Sequence, residues 1–128
     1  GNVAASGNLT VSGDIIKSTA GTSNFAAGVN AGNSITSGGN NNVVVGDEAG
    51  TALTTGDNNV ALGVFALDAQ TTADNNTALG YAAMSTNTDG TNNVGVGLLA
   101  LGANTTGDGN TAIGYASLDA NTTLLWVT

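Results

Sequence analysis

Asn58-Asn59-Val60-Ala61-Leu62-Gly63 is followed 17 residues later by Asn75-Asn76-Thr77-Ala78-Leu79-Gly80. The same pattern opens Asn41-Asn42-Val43-Val44-Val45-Gly46 and Asn92-Asn93-Val94-Gly95-Val96-Gly97, and it returns as Gly109-Asn110-Thr111-Ala112-Ile113-Gly114. Gly46, Gly63, Gly80, Gly97 and Gly114 keep one spacing of 17 without a slip. A fixed short period marks a solenoid, in which each copy is one coil stacked on the next. Coil positions are numbered 1 to 17 from the first Asn, so that coils begin at residues 41, 58, 75, 92 and 109.

Positions 3 to 5 read as a short strand and position 6, always Gly, as a bend. Position 5 is always a branched aliphatic (Val45, Leu62, Leu79, Val96, Ile113), and position 10 is large and apolar in four copies (Leu67, Met84, Leu101, Leu118). Strand side chains alternate faces. The expectation is therefore that positions 5 and 10 point into the coil, and that the small residues of positions 4 and 9 face outward. A second strand is expected near positions 8 to 10. The Asn residues at positions 1 and 2 are expected to form side-chain amide ladders along the stack. Position 14 is always Thr, and positions 16 and 17 carry turn pairs such as Gly56-Asp57 and Gly107-Asp108. The fold class that follows is all-β, a parallel β-solenoid or β-roll with 17-residue coils.

Outward from this block the texture changes. Residues 1–37 form a β-rich spacer or capping segment, with Asn8–Val11 and Asp14–Ile16 as short β-prone runs between glycines. Asn24-Phe25-Ala26-Ala27-Gly28 reads as an imperfect coil start with its Gly one residue early, so residues 24–40 are a candidate capping coil. Residues 38–123 are the five-coil block. In residues 124–128, Leu124-Leu125-Trp126-Val127 breaks the pattern and reads as a cap or a junction to a following domain. The chain opens on Gly1 with no signal-peptide pattern, as a piece of a longer protein would.

Composition narrows the chemistry. The 128 residues hold no Cys, His or Pro, one base (Lys17) and nine acids, for a formal net charge of -8. Phosphate contacts need Lys and Arg in number, so nucleic acid and anionic membrane surfaces are poor partners. No apolar run reaches the roughly 18 residues of a membrane span. Low charge with abundant Asn, Thr, Gly and Ala is also the composition of disorder, but disorder has no phase, and this sequence keeps its phase over five copies. The thin core per coil and the rows of small residues point to several copies lying side by side, that is, to an oligomer.

The copies from Asn58 and Gly109 resemble the Asn-Ser-Val-Ala-Ile-Gly repeats of trimeric autotransporter adhesin heads. They are more similar still to the Asn-Thr-Ala-Ile-Gly-Tyr repeats of bacteriophage tail fibres and related bacterial surface fibres. Gly7-Asn8-Leu9-Thr10-Val11-Ser12-Gly13 is similar to the spacer strands of such fibres. The resemblance implies a left-handed β-roll in a homotrimeric fibre, located on a phage virion or a bacterial cell surface. It implies attachment, as shaft or head, through a cell-surface glycan or protein receptor. Adhesin heads commonly have shorter coils, so the period here departs from theirs, and the shared motif is structural and carries no receptor-binding residues.

Candidate sites are weighed on this background. The acid pair Asp47-Glu48 could in principle serve glycoside hydrolysis, which makes a polysaccharide-degrading tailspike the enzymatic alternative. A solvated turn accounts for the pair as well, and no catalytic residue, cofactor or metal site is assigned. Asp57 and Asp74 stack at position 17, where like charges repel unless solvated or bridged by a cation such as Ca²⁺; the spacing is not that of a calcium loop. The Thr row at position 14 raises an ice-binding solenoid as a further alternative, though adjacent Thr residues of a strand point to opposite faces. Phe65, Tyr81, Leu98 and Tyr115, at positions 7 and 8, are the candidate surface-binding residues. They suit either a ligand or the interface of a trimer.

Overall fold

The structure, a computed structural model, describes residues 20–120 and residue 122. The spacer strands expected at Asn8–Val11 and Asp14–Ile16, and the cap expected at 124–128, lie outside the described residues. The strands are β1 (Phe25–Ala27), β2 (Val43–Val45), β3 (Val60–Leu62), β4 (Thr77–Leu79), β5 (Val94–Val96) and β6 (Thr111–Ile113). They form one six-stranded sheet in sequence order, parallel throughout. Each coil contributes one three-residue strand, and the chain is an all-β parallel solenoid.

Register follows the period. Val43 pairs with Val60, Val60 with Thr77, Thr77 with Val94 and Val94 with Thr111. Only the first rung differs, because Phe25 pairs with Val43, 18 residues away (43 − 25). This places Asn24 at position 2 beside Asn42, so Gly28 is in phase with Gly46 rather than one residue early. The extra residue is accommodated at Ser37-Gly38. The Thr36 N–H still bonds the Thr54 carbonyl 18 residues on (2.9 Å), whereas the Asn40 N–H reaches Asp57 Oδ1 only 17 residues on (2.6 Å).

The interior differs from the expectation in its faces. Val44, Ala61, Ala78 and Ala112 of position 4 are buried, while Leu62 and Ile113 of position 5 are 44% and 72% exposed. The coil cross-section has room for a methyl group from the strand, or for Val44 where Gly50 stands opposite, but not for a Leu. The aliphatics of positions 3 and 5 therefore cover the outer face of the sheet.

The expected second strand is absent. Positions 8 and 10 adopt left-handed backbone instead, with φ of 59° at Phe65 and 51° at Leu67, and 58° at Leu99 and 53° at Leu101. Two left-handed residues around one ordinary residue cancel the strand alternation, so Ala66 and Leu67, and likewise Ala100 and Leu101, are buried together. Left-handed backbone costs an L-residue with a Cβ about 1–2 kcal/mol. The burial of the row Leu67, Met84, Leu101 offsets part of that cost.

Volume is shared between positions 4 and 10. A Cβ on Gly32 or Gly50 would lie 2.8 Å from a Val44 methyl, and one on Gly95 would lie 2.9 Å from Met84 Cγ. Val44 thus faces Gly32 and Gly50, Met84 is met by Gly95, and Leu67 and Leu118 of position 10 share their coils with Ala61 and Ala112 at position 4, which keeps the core filled without overpacking. The glycines of position 6 serve a different end. Gly63 has φ +138°, and a Cβ there would stand 2.4 Å from the Gly80 carbonyl oxygen of the next coil. Backbones stack so closely at this bend that no side chain fits.

The buried Asn of position 2 forms a ladder, though not by amide-to-amide pairing alone. The Asn59 N–H donates to Asn42 Oδ1 (2.8 Å), the Asn76 N–H to Asn59 Oδ1 (2.9 Å), and the Asn93 N–H to Asn76 Oδ1 (2.9 Å). Each Nδ2 then crosses its own coil to the carbonyl of position 16: Asn42 to Gly56 (2.8 Å), Asn59 to Ala73 (2.9 Å), Asn76 to Gly90 (2.8 Å) and Asn93 to Gly107 (2.7 Å). One side chain thus satisfies a buried donor in the next coil and a buried acceptor across its own.

Candidate functional site

The position 7 and 8 residues follow the Gly bend and lie on the rim beside the outer face of the sheet. Tyr81 is 52% exposed, Leu98 42%, Tyr115 77% and Phe65 37%. Backbone bonds between coils hold this rim at a fixed rise. The N–H of Ala82 donates to the Val64 carbonyl (2.9 Å), that of Leu99 to Tyr81 (3.1 Å) and that of Ala116 to Leu98 (2.8 Å). Phe65 and Tyr81 meet edge to face, with ring centroids 5.8 Å apart and an interplanar angle of 86°. This is a favoured geometry for an aromatic pair. The structure thus gathers Tyr81, Leu98 and Tyr115 into one row, with Phe65 at the side of its lowest ring.

The acids of position 17 have local partners. Asp57 Oδ1 accepts the Asn40 N–H (2.6 Å), and Asp74 Oδ1 accepts the Asp57 N–H (2.7 Å). Asp108 Oδ1 accepts both the N–H (2.6 Å) and the hydroxyl (2.9 Å) of Thr91. Each carboxylate caps the coil before it, so the stacked charges are met by backbone donors. At the Asp47-Glu48 bend, Asp47 Oδ1 accepts the Val29 N–H (3.0 Å) and Glu48 Oε1 accepts Asn30 Nδ2 (2.7 Å). Among the described residues no group of three His, Cys, Asp or Glu side chains is placed to hold a metal ion. At position 14, Thr54, Thr88 and Thr105 bond their hydroxyls to carbonyls of the next coil. Thr54 Oγ1 donates to the Thr71 carbonyl (3.0 Å) and Thr105 Oγ1 to the Thr122 carbonyl (3.1 Å).

Two features were not legible from residue types. Asp68 holds one buried oxygen, Oδ1, that has no hydrogen-bond partner among the described residues. Burial pushes its carboxyl above the ordinary value of 3.8, with the charge of Glu48 adding to the effect. The second is an amide row at position 13, where Ile35 and Leu53 give way to Gln70, Asn87 and Asn104, all buried. Gln70 Oε1 accepts both Asn76 Nδ2 (2.9 Å) and Asn87 Nδ2 (3.0 Å), and Asn104 Nδ2 continues to Asn87 Oδ1 (2.8 Å). The sequence signal for it was the run Gln, Asn, Asn at one repeat position.

The sheet itself presents the larger surface. Its outer face carries Phe25, Val43, Val60, Thr77, Val94 and Thr111 in one row and Ala27, Val45, Leu62, Leu79, Val96 and Ile113 in the other, all exposed or half-buried. No protein-family model matches this chain, and no curated protein and no solved structure is significantly similar to it. Among the described residues no helix is long and apolar enough to cross a membrane.

Proposed function

We propose that this chain is a segment of a homotrimeric attachment fibre, a rigid rod that presents or forms a receptor-binding surface outside the cell, on a phage virion or a bacterial surface. The observation that carries the reading is the apolar outer face of the sheet. Phe25, Val43, Leu62 and Ile113 are 38%, 39%, 44% and 72% exposed, and they stand on one face of a sheet whose strands pair in register. Contiguous apolar area of this kind marks an interaction surface. Straight rows on a rod match straight rows on an identical rod, and three copies arranged about one axis would each bury that face. The left-handed coil belongs to the same proposal, on the resemblance of the repeats to fibre β-rolls.

The role is mechanical and adhesive rather than enzymatic. In the acid pair Asp47-Glu48, Asp47 Oδ1 is engaged by the Val29 N–H (3.0 Å) and Glu48 Oε1 by Asn30 Nδ2 (2.7 Å), as turn carboxylates are. The test is native mass by sedimentation equilibrium. The expected value is three chains, falling to one in Leu62→Asp/Val96→Asp, whose charges would be desolvated only in the trimer. A wild-type monomer at micromolar concentration refutes the trimer.

A further inference from the structure

We propose that the rim row Tyr81, Leu98 and Tyr115, with Phe65 as its brace, is a rail for an uncharged, extended β-1,4-linked polysaccharide. Sugar rings would stack on Tyr81 and Tyr115. The proposal deepens the attachment reading and rests on it for its biological setting, while the binding itself is a property of the rim.

Several observations converge on this surface. Of the five aromatic residues in the chain, three stand on this rim (Phe65, Tyr81 and Tyr115), all of them exposed. Tyr81 and Tyr115 are two coils apart, so at the interstrand spacing they are separated by about 9.6 Å along the rod. That rise is close to two sugar rings of an extended β-1,4-linked chain, whose alternating twist returns the same ring face at every second sugar. Leu98 lies between the two tyrosines and offers an apolar floor to the intervening ring.

The spacing is also rigid. The backbone bonds from Leu99 to Tyr81 (3.1 Å) and from Ala116 to Leu98 (2.8 Å) fix the rise, and the edge-to-face contact with Phe65 restrains the Tyr81 ring. A ligand meeting such a row loses little of its binding energy to ordering the protein. Tyrosine adds a hydroxyl that can donate to or accept from sugar hydroxyls at the edge of each ring. Charge selects the class of glycan. With a net charge of -8 and Lys17 as the only base, the chain repels acidic polymers and has a single cationic side chain to set against their carboxylates or sulfates. A neutral backbone bears no such penalty.

The experiment is calorimetric titration of the whole chain with the β-1,4-linked hexamer of N-acetylglucosamine, run beside the dimer. The hexamer is expected to bind and the dimer, too short to engage both rings, to bind at least about tenfold more weakly. Tyr81→Ala and Tyr115→Ala are each expected to weaken the hexamer about tenfold or more, as truncation of an aromatic anchor does. Tyr115→Ala should keep the wild-type melting temperature, since that side chain is largely exposed, while Tyr81→Ala gives up its edge-to-face contact with Phe65 and should lower it slightly without unfolding the coil. Absence of hexamer binding at millimolar concentration overturns the proposal, and so does wild-type binding by both variants. A change of native mass in either variant overturns it too, because the rings would then belong to an interface between copies. Loss of the trimer in wild type, with hexamer binding retained, would sink only the fibre assembly.

Discussion

Asn42→Ala should destabilise this solenoid more than Asn76→Ala, although the two residues are equivalent by sequence and both are fully buried. The difference lies in what each leaves behind. Loss of the Asn42 side chain orphans the Asn59 N–H, whose acceptor is Asn42 Oδ1 at 2.8 Å, and the Gly56 carbonyl, which accepts Asn42 Nδ2 at 2.8 Å. Loss of the Asn76 side chain orphans the Asn93 N–H in the same way. The Gly90 carbonyl, however, keeps a second donor in Asn87 Nδ2 (2.9 Å), and Gln70 Oε1 keeps the same Asn87 amide (3.0 Å). A buried polar group left without a partner costs about 1–3 kcal/mol. Asn42→Ala therefore orphans two groups and should cost about 2–6 kcal/mol, and Asn76→Ala orphans one and should cost about 1–3 kcal/mol. Urea unfolding followed by circular dichroism measures both, with the m-value checked for constancy. Equal costs within about 0.5 kcal/mol, a limit set by the scatter expected between independent sites, would refute the claim that the amide row at position 13 backs up the ladder at position 2. A larger cost for Asn76→Ala would refute it more strongly.

Other outcomes follow from the same geometry. Gly63→Ala should unfold the stack or lower its melting temperature far more than Gly114→Ala. Both have positive φ, but a Cβ on Gly63 meets the Gly80 carbonyl at 2.4 Å while one on Gly114 meets nothing within 4 Å among the described residues. For Asp68 the sign is set by its raised pKa. The folded state binds the proton more tightly than the unfolded chain, so this residue's contribution to stability falls as pH rises from about the ordinary 3.8 through the raised value. Asp68→Asn should accordingly be more stable than wild type near neutral pH in thermal melts, with the gap closing as pH falls to the ordinary 3.8. A gap independent of pH would remove the titration argument. Deleting Gly38 should be tolerated better than deleting Thr55, because the first returns an 18-residue coil to the common period while the second breaks it. Soluble yield and melting temperature of the two deletions decide this.

Part of the architecture could be read directly from the repeat. Five glycines at one spacing, each followed one coil later by its twin, leave a stacked parallel ladder as the consistent solution, and β2 to β6 pair in that register. The exposure of Tyr81, Leu98 and Tyr115 was legible too, since the positions after the Gly bend vary most between copies. The facing of positions 4 and 5 was not. Alternation states that Ala61 and Leu62 point opposite ways but is silent on which way is in. The width of the coil decides that, and a coil this narrow admits Ala and sends Leu to the outer face. The smallness of position 4 in four of the five copies (Ala61, Ala78, Gly95, Ala112) was the available clue.

Period, the strand at positions 3 to 5, the Gly bends and the weakness of any claim on nucleic acid belong to the sequence alone, because they depend on local backbone preference and on charge. The left-handed residues at Phe65, Leu67, Leu99 and Leu101 belong to the tertiary structure. No local propensity favours that backbone for bulky side chains; it exists because stacked neighbours bury Leu67 and Leu101 and bond the backbone on either side. The outer face of the sheet and the aromatic rim follow from that same closure of the coil. Where a side chain ends up in a solenoid is decided by the cross-section that all the coils share, and no single repeat contains that information.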